Sequence, residues 1–405
     1  MNSNPSTFLC ISNYFKGSDF LISLKEQGNK VFLVTSEQLK DKPWPFDHID
    51  EVFYMPGQDL DWNLDTLLKG VGGLMKDNKI DSIVALDDYD VEKATFLREN
   101  LRIPGMGQTT GRFFRDKLAM RIKAHDEGIN VPDFAPLFND DDINQFADHV
   151  PAPWVLKPRS EASAHGIIKV HDKESLWNHI HGLGENRLYY LVEKFEPGDV
   201  YHADGLILEG KVLFCTVSRY LATPMEISQG GGIFRSANVE YGSEDDLEIR
   251  KSNKQVMKAF GMKSGATHTE FIKSKKTGKI YFLETSSRVG GAHLAEMVAS
   301  ATNVNLWAEW AKIEDSLAKD KKYKLPKVKK GYAGIVLTLS SHEHPDLSGF
   351  DDPEVCFRVP LEYHAGLIVK SDNHQRVRDL LDDYAKRLGE GIAAVANAPE
   401  VKKFH

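Results

Sequence analysis

Over the first hundred residues short apolar runs alternate with helical stretches, and this alternation restricts the fold more than any other feature. Phe8 to Ser12 is an apolar run, Asp19 to Gln27 has helical character, and Gly28-Asn29 ends it. Val31 to Thr35 and Ile80 to Leu86 are further strand-like runs, and a helix is expected from Val91 to Asn100. Strands alternating with helices imply parallel βαβ units. No GxGxxG follows the first strand, so a dinucleotide site there is not supported. Ile103-Pro104-Gly105 closes the block. A chain of 405 residues implies two to three domains at about 100–200 residues each.

Beyond this block the signals change. A helix is expected from about Arg112 to Glu127, stopped by Gly128 and Pro132, and Asp140-Asp141-Asp142 should open another. From Trp154 to Leu213 the pattern is mostly short strands. Thr267 to Ile272 and Lys279 to Glu284 form a strand pair around Thr277-Gly278, followed by a helix from about Ala292 to Ala299. Lys321 to Lys330 holds six lysines, one proline and no acid, and reads as a linker. Past it come a strand, Gly331 to Leu339, and an amphipathic helix, His374 to Leu388, taken as a separate small α+β unit over 331–405.

Composition narrows the function classes. Apolar residues make up 41% and charged residues 27%, which excludes a disordered or collagen-like chain. With 51 basic and 59 acidic residues the net charge is −8, so the basic footprint of a nucleic-acid binder is missing. No run of 18 apolar residues implies a membrane span, and Met1 to Thr7 lacks the pattern of a signal peptide. Cys10, Cys215 and Cys356 are far apart, which fits a reducing compartment. The expectation is a cytoplasmic protein with no nucleic-acid and no membrane partner.

Two stretches carry chemistry. In Trp154 to Val170 a strand ends on Lys157, a loop of small residues follows, and a second strand begins. Small residues let backbone N–H groups approach an anion, and the lysine adds a point charge for phosphate. In the second stretch, alternation puts His268 and Glu270 on one strand face. The neighbouring strand delivers Glu284 after the apolar run Ile280 to Leu283, then turns through Arg288, Gly290 and Gly291. Carboxylates from paired strands can hold Mg²⁺ together with substrate phosphates. Arg288 is placed to bind a carboxylate or phosphoryl group. Ser228 to Arg235 is a glycine-rich loop whose N–H groups, with Arg219 or Arg235, are candidates for an acceptor pocket.

Together these stretches resemble the ATP-grasp superfamily over about Ile80 to Ser300. The resemblance implies α/β and α+β multidomain architecture in three parts. These are a pre-ATP-grasp βαβ domain at 1–110, a two-lobed ATP-grasp domain at 111–320 with a mobile lid lobe at about 132–192, and the C-terminal α+β domain at 331–405. It further implies that Lys117 (in Asp116 to Met120) and Lys157 are the two ATP lysines, with Ser163 in the phosphate loop. Glu193, Lys194 and Phe195, in Leu191 to Gly198, match the adenine hinge. Glu270 and Glu284 match the two Mg²⁺-binding acids, and Arg288 matches the arginine of the ExNxR element. Ser286 stands where that element has asparagine, Glu161 lies in the normally glycine-rich loop, and Asp199 is the available acid for ribose. Arg219, Arg235, Gly231 and Gly291 are the implied substrate-side residues.

The implied activity is that of an ADP-forming carboxylate–amine ligase using ATP and Mg²⁺, or Mn²⁺ in its place, and acting on a small-molecule carboxylate and amine. Thr267 to Glu270 and Arg288 to His293 look most like the L-amino-acid ligase branch. His268 either assists the amine or orients a neighbouring acid. The alternatives are a biotin-carboxylase-like enzyme activating bicarbonate and a nucleotide-binding regulator without turnover. A homodimer through the N-terminal block is a family-level expectation.

Overall fold

The computed structural model describes residues 5–57, 62–161, 166–223, 225, 227 and 232–393. Ser163 and Gly231 lie outside the described residues, as does the first half of the glycine-rich loop, 228–231.

The N-terminal part is a parallel sheet of β1 (Thr7–Ser12), β2 (Lys30–Ser36), β3 (Glu51–Met55) and β4 (Ser82–Ala85), in the order β3-β2-β1-β4. Its helices are α1 (Ser18–Glu26), α2 (Leu64–Leu74) and α3 (Val91–Leu101). All six residues of β1 are buried because helices cover both faces. Phe8 and Cys10 join the cluster containing α1, whereas Leu9 and Ile11 join the one containing α2 and α3. The expected single helix after this block is two helices, α4 (Gln108–Arg112) and α5 (Lys117–Asp126). Asp116 breaks it, because its carboxylate caps the backbone N–H groups of Leu118 and Ala119 at 2.9 and 3.3 Å.

A small antiparallel lobe follows: β5 (Phe134–Pro136), α6 (Asp140–His149), β6 (Trp154–Pro158), β7 (Ile168–Val170), α7 (Lys173–Leu183) and β8 (Tyr190–Lys194). Its strands run in the order β5-β8-β6-β7. Trp154 and Leu156 pack with Ile143, Phe146, Leu176 and Ile180 of the two helices. The strand period therefore turns Val155 and Lys157 to the opposite face.

The third sheet has eight strands in the order β13-β12-β9-β10-β11-β14-β16-β15. In chain order its elements are β9 (Gly198–Leu208), β10 (Lys211–Tyr220), β11 (Phe234–Asn238), α8 (Glu244–Ala259), β12 (Gly265–Ser274), β13 (Ile280–Ser286), α9 (Leu294–Thr302), α10 (Leu306–Ala318), β14 (Tyr332–Leu339), β15 (Val355–Arg358), β16 (His364–Ser371) and α11 (His374–Gly391). The chain beyond the lysine-rich segment adds to this sheet: β14 pairs with β11, Arg235 opposite Val336. The lysine-rich segment is itself tied down. Tyr323 donates a hydrogen bond to Glu309 at 2.6 Å, and Leu325 packs on the core under α10. Among the described residues no helix is long and apolar enough to cross a membrane.

The first residue of β9 is glycine for a steric reason. A Cβ on Gly198 would overlap the Lys273 carbonyl oxygen of β12. Gly198→Ala should therefore destabilise the protein by about 1–3 kcal/mol, seen as a lower denaturant midpoint, because backbone on the far side cannot move aside without breaking the β9–β12 ladder.

Candidate functional site

The small lobe and the large sheet face each other across a cleft of about 570 Å³. Val155, Lys157 and Glu193 line it from the small lobe, and Val200, Tyr220, His268, Glu270, Ile272 and Glu284 from the large sheet. Arg115 and Lys117 enter at the start of α5, Arg288 and Gly291 from the turn after β13, and Asp88 from the turn after β4.

Register puts Glu270 of β12 directly opposite Glu284 of β13. Like charges facing each other across a strand pair are destabilising unless something positive compensates. Lys117 Nζ lies 2.8 Å from Glu284 Oε2, and His268 Nε2 lies 3.6 Å from Glu270 Oε1. Tyr220 donates to Glu270 Oε1 at 2.8 Å. Burial works to raise the Glu270 pKa, but His268 and Tyr220 outweigh it and hold the carboxyl below its ordinary range. Two carboxyl groups face to face, each beside a cation, offer hard oxygen ligands, which suits a divalent cation such as Mg²⁺.

His268 is itself gripped from below. Its Nδ1 lies 2.8 Å from Asp204 Oδ1, and His202 Nδ1 lies 2.6 Å from Asp204 Oδ2. His202 Nε2 reaches Ser236 Oγ at 2.7 Å. Burial opposes charge on His268, yet Asp204 and Glu270 prevail and push its pKa up to about 10. A cationic imidazole cannot accept a proton from an amine, so the orienting role is the one this geometry supports. Asp204 is lowered well below the carboxylate range, because the two histidines outweigh its burial. The three side chains lie close enough to hold a metal ion, but each ring turns Nδ1 to the carboxylate, so they brace the floor of the cleft. The close approach also explains Gly290, where a Cβ would sit 2.9 Å from His268 Nδ1.

In the small lobe, Glu193 is 1% exposed and is held between Lys157 and Arg121, whose Nη2 is 2.9 Å from Oε2. Those cations outweigh the effect of burial and lower the Glu193 pKa. Phe195 and Lys194 line the same end, but their backbone N–H groups already donate to Pro153 and Asp133 at 3.0 and 2.8 Å. Lys117 Nζ also donates to the Glu161 carbonyl oxygen. Glu161 points neither outward nor toward the acid pair: its Oε2 accepts from Tyr89 of the N-terminal part at 2.8 Å.

Three expected site residues stand elsewhere. Val200 and Tyr220 face the cleft, so alternation turns Asp199 and Arg219 to the other side of the sheet. There the two pair with each other at 2.9 Å. Arg235 is likewise out of phase with Phe234, which faces the cleft, and it pairs with Asp382 of α11. Neither ribose nor substrate binding in this cleft fits these three. Ser286 lines the cleft and lies beside Asp88, whose carboxyl it helps keep ionised. Gly291 borders open space.

Sequence reasoning missed Asp88, Arg115, Arg121, Asp204 and Tyr220. Asp88 carried one available signal, because it follows the carboxyl end of a parallel strand, where α/β sheets place ligands. Asp88 accepts from Arg288 Nε at 2.8 Å and from Nη2. Although burial would raise its pKa, Arg288 holds it at about 2.

Asp204→Ala should cost about 3–5 kcal/mol in chemical denaturation, because it strands buried His268 without its counter-ion. A carboxyl with a lowered folded pKa gives stability that is present above its unfolded value, about 3.9, and is lost as pH falls. Wild-type stability should thus drop on acidification below about pH 4, with a shallower drop in Asp204→Asn.

No family model matches the chain. An L-arginine-specific L-amino acid ligase of Bacillus subtilis is 29% identical over 243 residues, 58% of this chain and 57% of that protein. The chain thus spans less than two thirds of that relative's length. A D-alanine–D-alanine ligase of Neisseria gonorrhoeae is 25% identical over 214 residues, 51% of this chain and 69% of that protein. Among solved structures, L-amino acid ligase from Bacillus licheniformis superposes with a TM-score of 0.72 at 17% identity, covering 98% of this chain and 100% of the other. The ADP complex of N5-carboxyaminoimidazole synthetase from Staphylococcus aureus gives 0.71 at 15% identity, covering 94% and 96%. ATP and Mg²⁺ are typical of proteins of this kind. The chain is thus similar in sequence, over about half of its length, to two ligases of amino acids, and it shares its fold with L-amino acid ligase and N5-carboxyaminoimidazole synthetase.

Proposed function

We propose that the protein is an ATP-dependent, ADP-forming ligase that activates a carboxylate as an acyl phosphate and joins it to the amine of an amino acid or small peptide. The observation that carries this reading is the facing pair Glu270 and Glu284, with Lys117 and Arg288 beside it and Lys157 across the cleft. The two relatives described above are both named as ligases of amino acids, which supports the same reading.

In this reading Lys117, Lys157 and Arg115 bind the phosphates, and the apolar wall of Val155, Val200, Ile272 and Leu283 receives the adenine. Glu270 and Glu284 hold Mg²⁺, with Ser286 within the same turn. Bound Mg²⁺ neutralises charge at the transferring phosphoryl group. A carboxylate oxygen attacks the γ-phosphorus, the bond to the β-phosphate oxygen breaks, and ADP leaves. The amine nitrogen then attacks the acyl carbon, the carbon–oxygen bond to phosphate breaks, and the amine's proton leaves with phosphate or solvent. Arg288 steadies the carboxylate and the developing oxyanion, and His268 keeps Glu270 in place. Catalysis is positioning plus electrostatic clamping, with no protein nucleophile.

The test is incubation with ATP, Mg²⁺, hydroxylamine and a panel of carboxylic acids. ADP and a hydroxamate should form with at least one acid; the absence of both with every acid overturns the reading. ATP cleavage that depends on bicarbonate alone would replace it with the biotin-carboxylase-like alternative. Lys157→Met should weaken nucleotide binding about tenfold or more and abolish turnover, with Glu193 still paired to Arg121 so that the fold persists. Glu284→Ala should lower turnover by at least about 100-fold while changing nucleotide affinity far less, since its loss falls at the transferring phosphate. Titration calorimetry with an ATP analogue, beside steady-state rates, separates the two variants.

A further inference from the structure

The face of the large sheet that points away from the cleft gathers three arginines. Arg219 of β10 stands directly opposite Ala237 of β11, and Ala237 packs with Val377 and Leu381 of α11. Arg235 lies two residues before Ala237 on β11 and so shares that face. Its guanidinium pairs with Asp382 of α11. Arg378 precedes Asp382 by one helical turn, on the same side of the helix. Two neighbouring strands and the helix lying over them thus each contribute one guanidinium. The three act on one another: burial, then the charge of Arg219, and also that of Arg235, lower the pKa of Arg378.

The acids present do not balance this cluster. Asp199 lies 2.9 Å from Arg219 Nη2 but is shared with Lys275 at 3.9 Å. Asp245 of α8 is taken up by Lys273 at 2.8 Å and by the Tyr201 hydroxyl at 2.7 Å. Asp382 serves Arg235. Arg378 is half-buried and has no carboxylate in ion-pair contact among the described residues. The Nε groups of Arg219 and Arg235 are buried and have no hydrogen-bond partner either. A guanidinium cannot shed its proton to relieve such crowding. Holding a third like charge beside two others, partly out of water, is unfavourable until an anion joins them. A carboxylate is covered by one arginine in bidentate fashion. Three planar forks converging from a sheet and a helix match an oxyanion with three charged oxygens.

We infer that Arg219, Arg235 and Arg378 form a receptor for a phosphoryl group, on the opposite side of the large sheet from the cleft. The inference is independent of the ligase reading. Free phosphate and a phosphate monoester both carry this chemistry. Tyr220 and Phe234, next in sequence to Arg219 and Arg235, line the cleft, so the receptor and the cleft lie back to back on β10 and β11.

The experiment is titration calorimetry on the full chain, with Mg²⁺ and a non-hydrolysable ATP analogue occupying the cleft. The probes are inorganic phosphate, glycerol 3-phosphate and acetate. Phosphate, the monoester or both should bind the wild type at least about tenfold tighter than acetate does. Arg378→Gln breaks no ion pair and should weaken that binding about 10- to 100-fold, the loss expected for one charge-assisted contact. The anion that binds should also raise the denaturant midpoint of the wild type and leave that of the variant unchanged. Binding of the analogue reports that the variant is folded. Binding of phosphate alone assigns the receptor to the free anion, and binding of the monoester assigns it to a phosphorylated molecule. Failure of both anions to bind the wild type overturns the inference, as does equal binding of acetate or undiminished binding by Arg378→Gln. The wild-type comparison decides even if the variant fails to fold.

Discussion

Two carboxylates, Glu270 and Glu284, meet across one strand pair, and much of the cleft exists to make that tolerable. Four acids of the site each have a cation: His268 for Glu270, Lys117 for Glu284, Arg121 and Lys157 for Glu193, Arg288 for Asp88. Below them Asp204 keeps His268 charged. Removing one partner from a buried pair leaves an uncompensated charge, which is far worse than removing both. The cleft is therefore a set of matched pairs, and any anion that enters competes for cations already in use. Lys117 and Lys157 can turn to phosphates only as Glu284 and Glu193 find other partners, a divalent ion for the first and Arg121 for the second.

The same pairs tie the three parts of the chain together. Arg288 of the large sheet reaches Asp88 of the N-terminal part, and Glu161 of the small lobe accepts from Tyr89 beside it. Arg159 of the small lobe donates to Asp116, the residue that starts α5 at Lys117. The N-terminal sheet, which has no nucleotide motif of its own, thus takes part in the site through the turn after β4.

The architecture was legible where pattern and turn chemistry agreed. β12 and β13 follow from alternation around Thr277-Gly278, and that alternation also sets Glu270 and His268 on one face. Asp199, Arg219 and Arg235 were misplaced for the opposite reason: a strand's existence is easier to read than its phase, and one residue of phase reverses the face. The buried pairs were illegible because their partners are remote. Asp88 and Arg288 are 200 residues apart, Arg121 and Glu193 are 72, and Asp204 and His268 are 64. The break before α5 was missed because Asp116 acts through its cap, and apolar periodicity runs across it.

The pairing of β11 with β14 gives the segment after the lysine-rich stretch a part in shielding the large sheet. If the chain were cut before β14, β11 would become a bare margin with the N–H and C=O groups of that side unsatisfied, starting at its own apolar Phe234. Such a margin recruits strands from other molecules. The C-terminal segment therefore works as a built-in edge guard for the sheet that carries the acids, and the boundary between them is continuous in hydrogen bonding although it is sharp in composition.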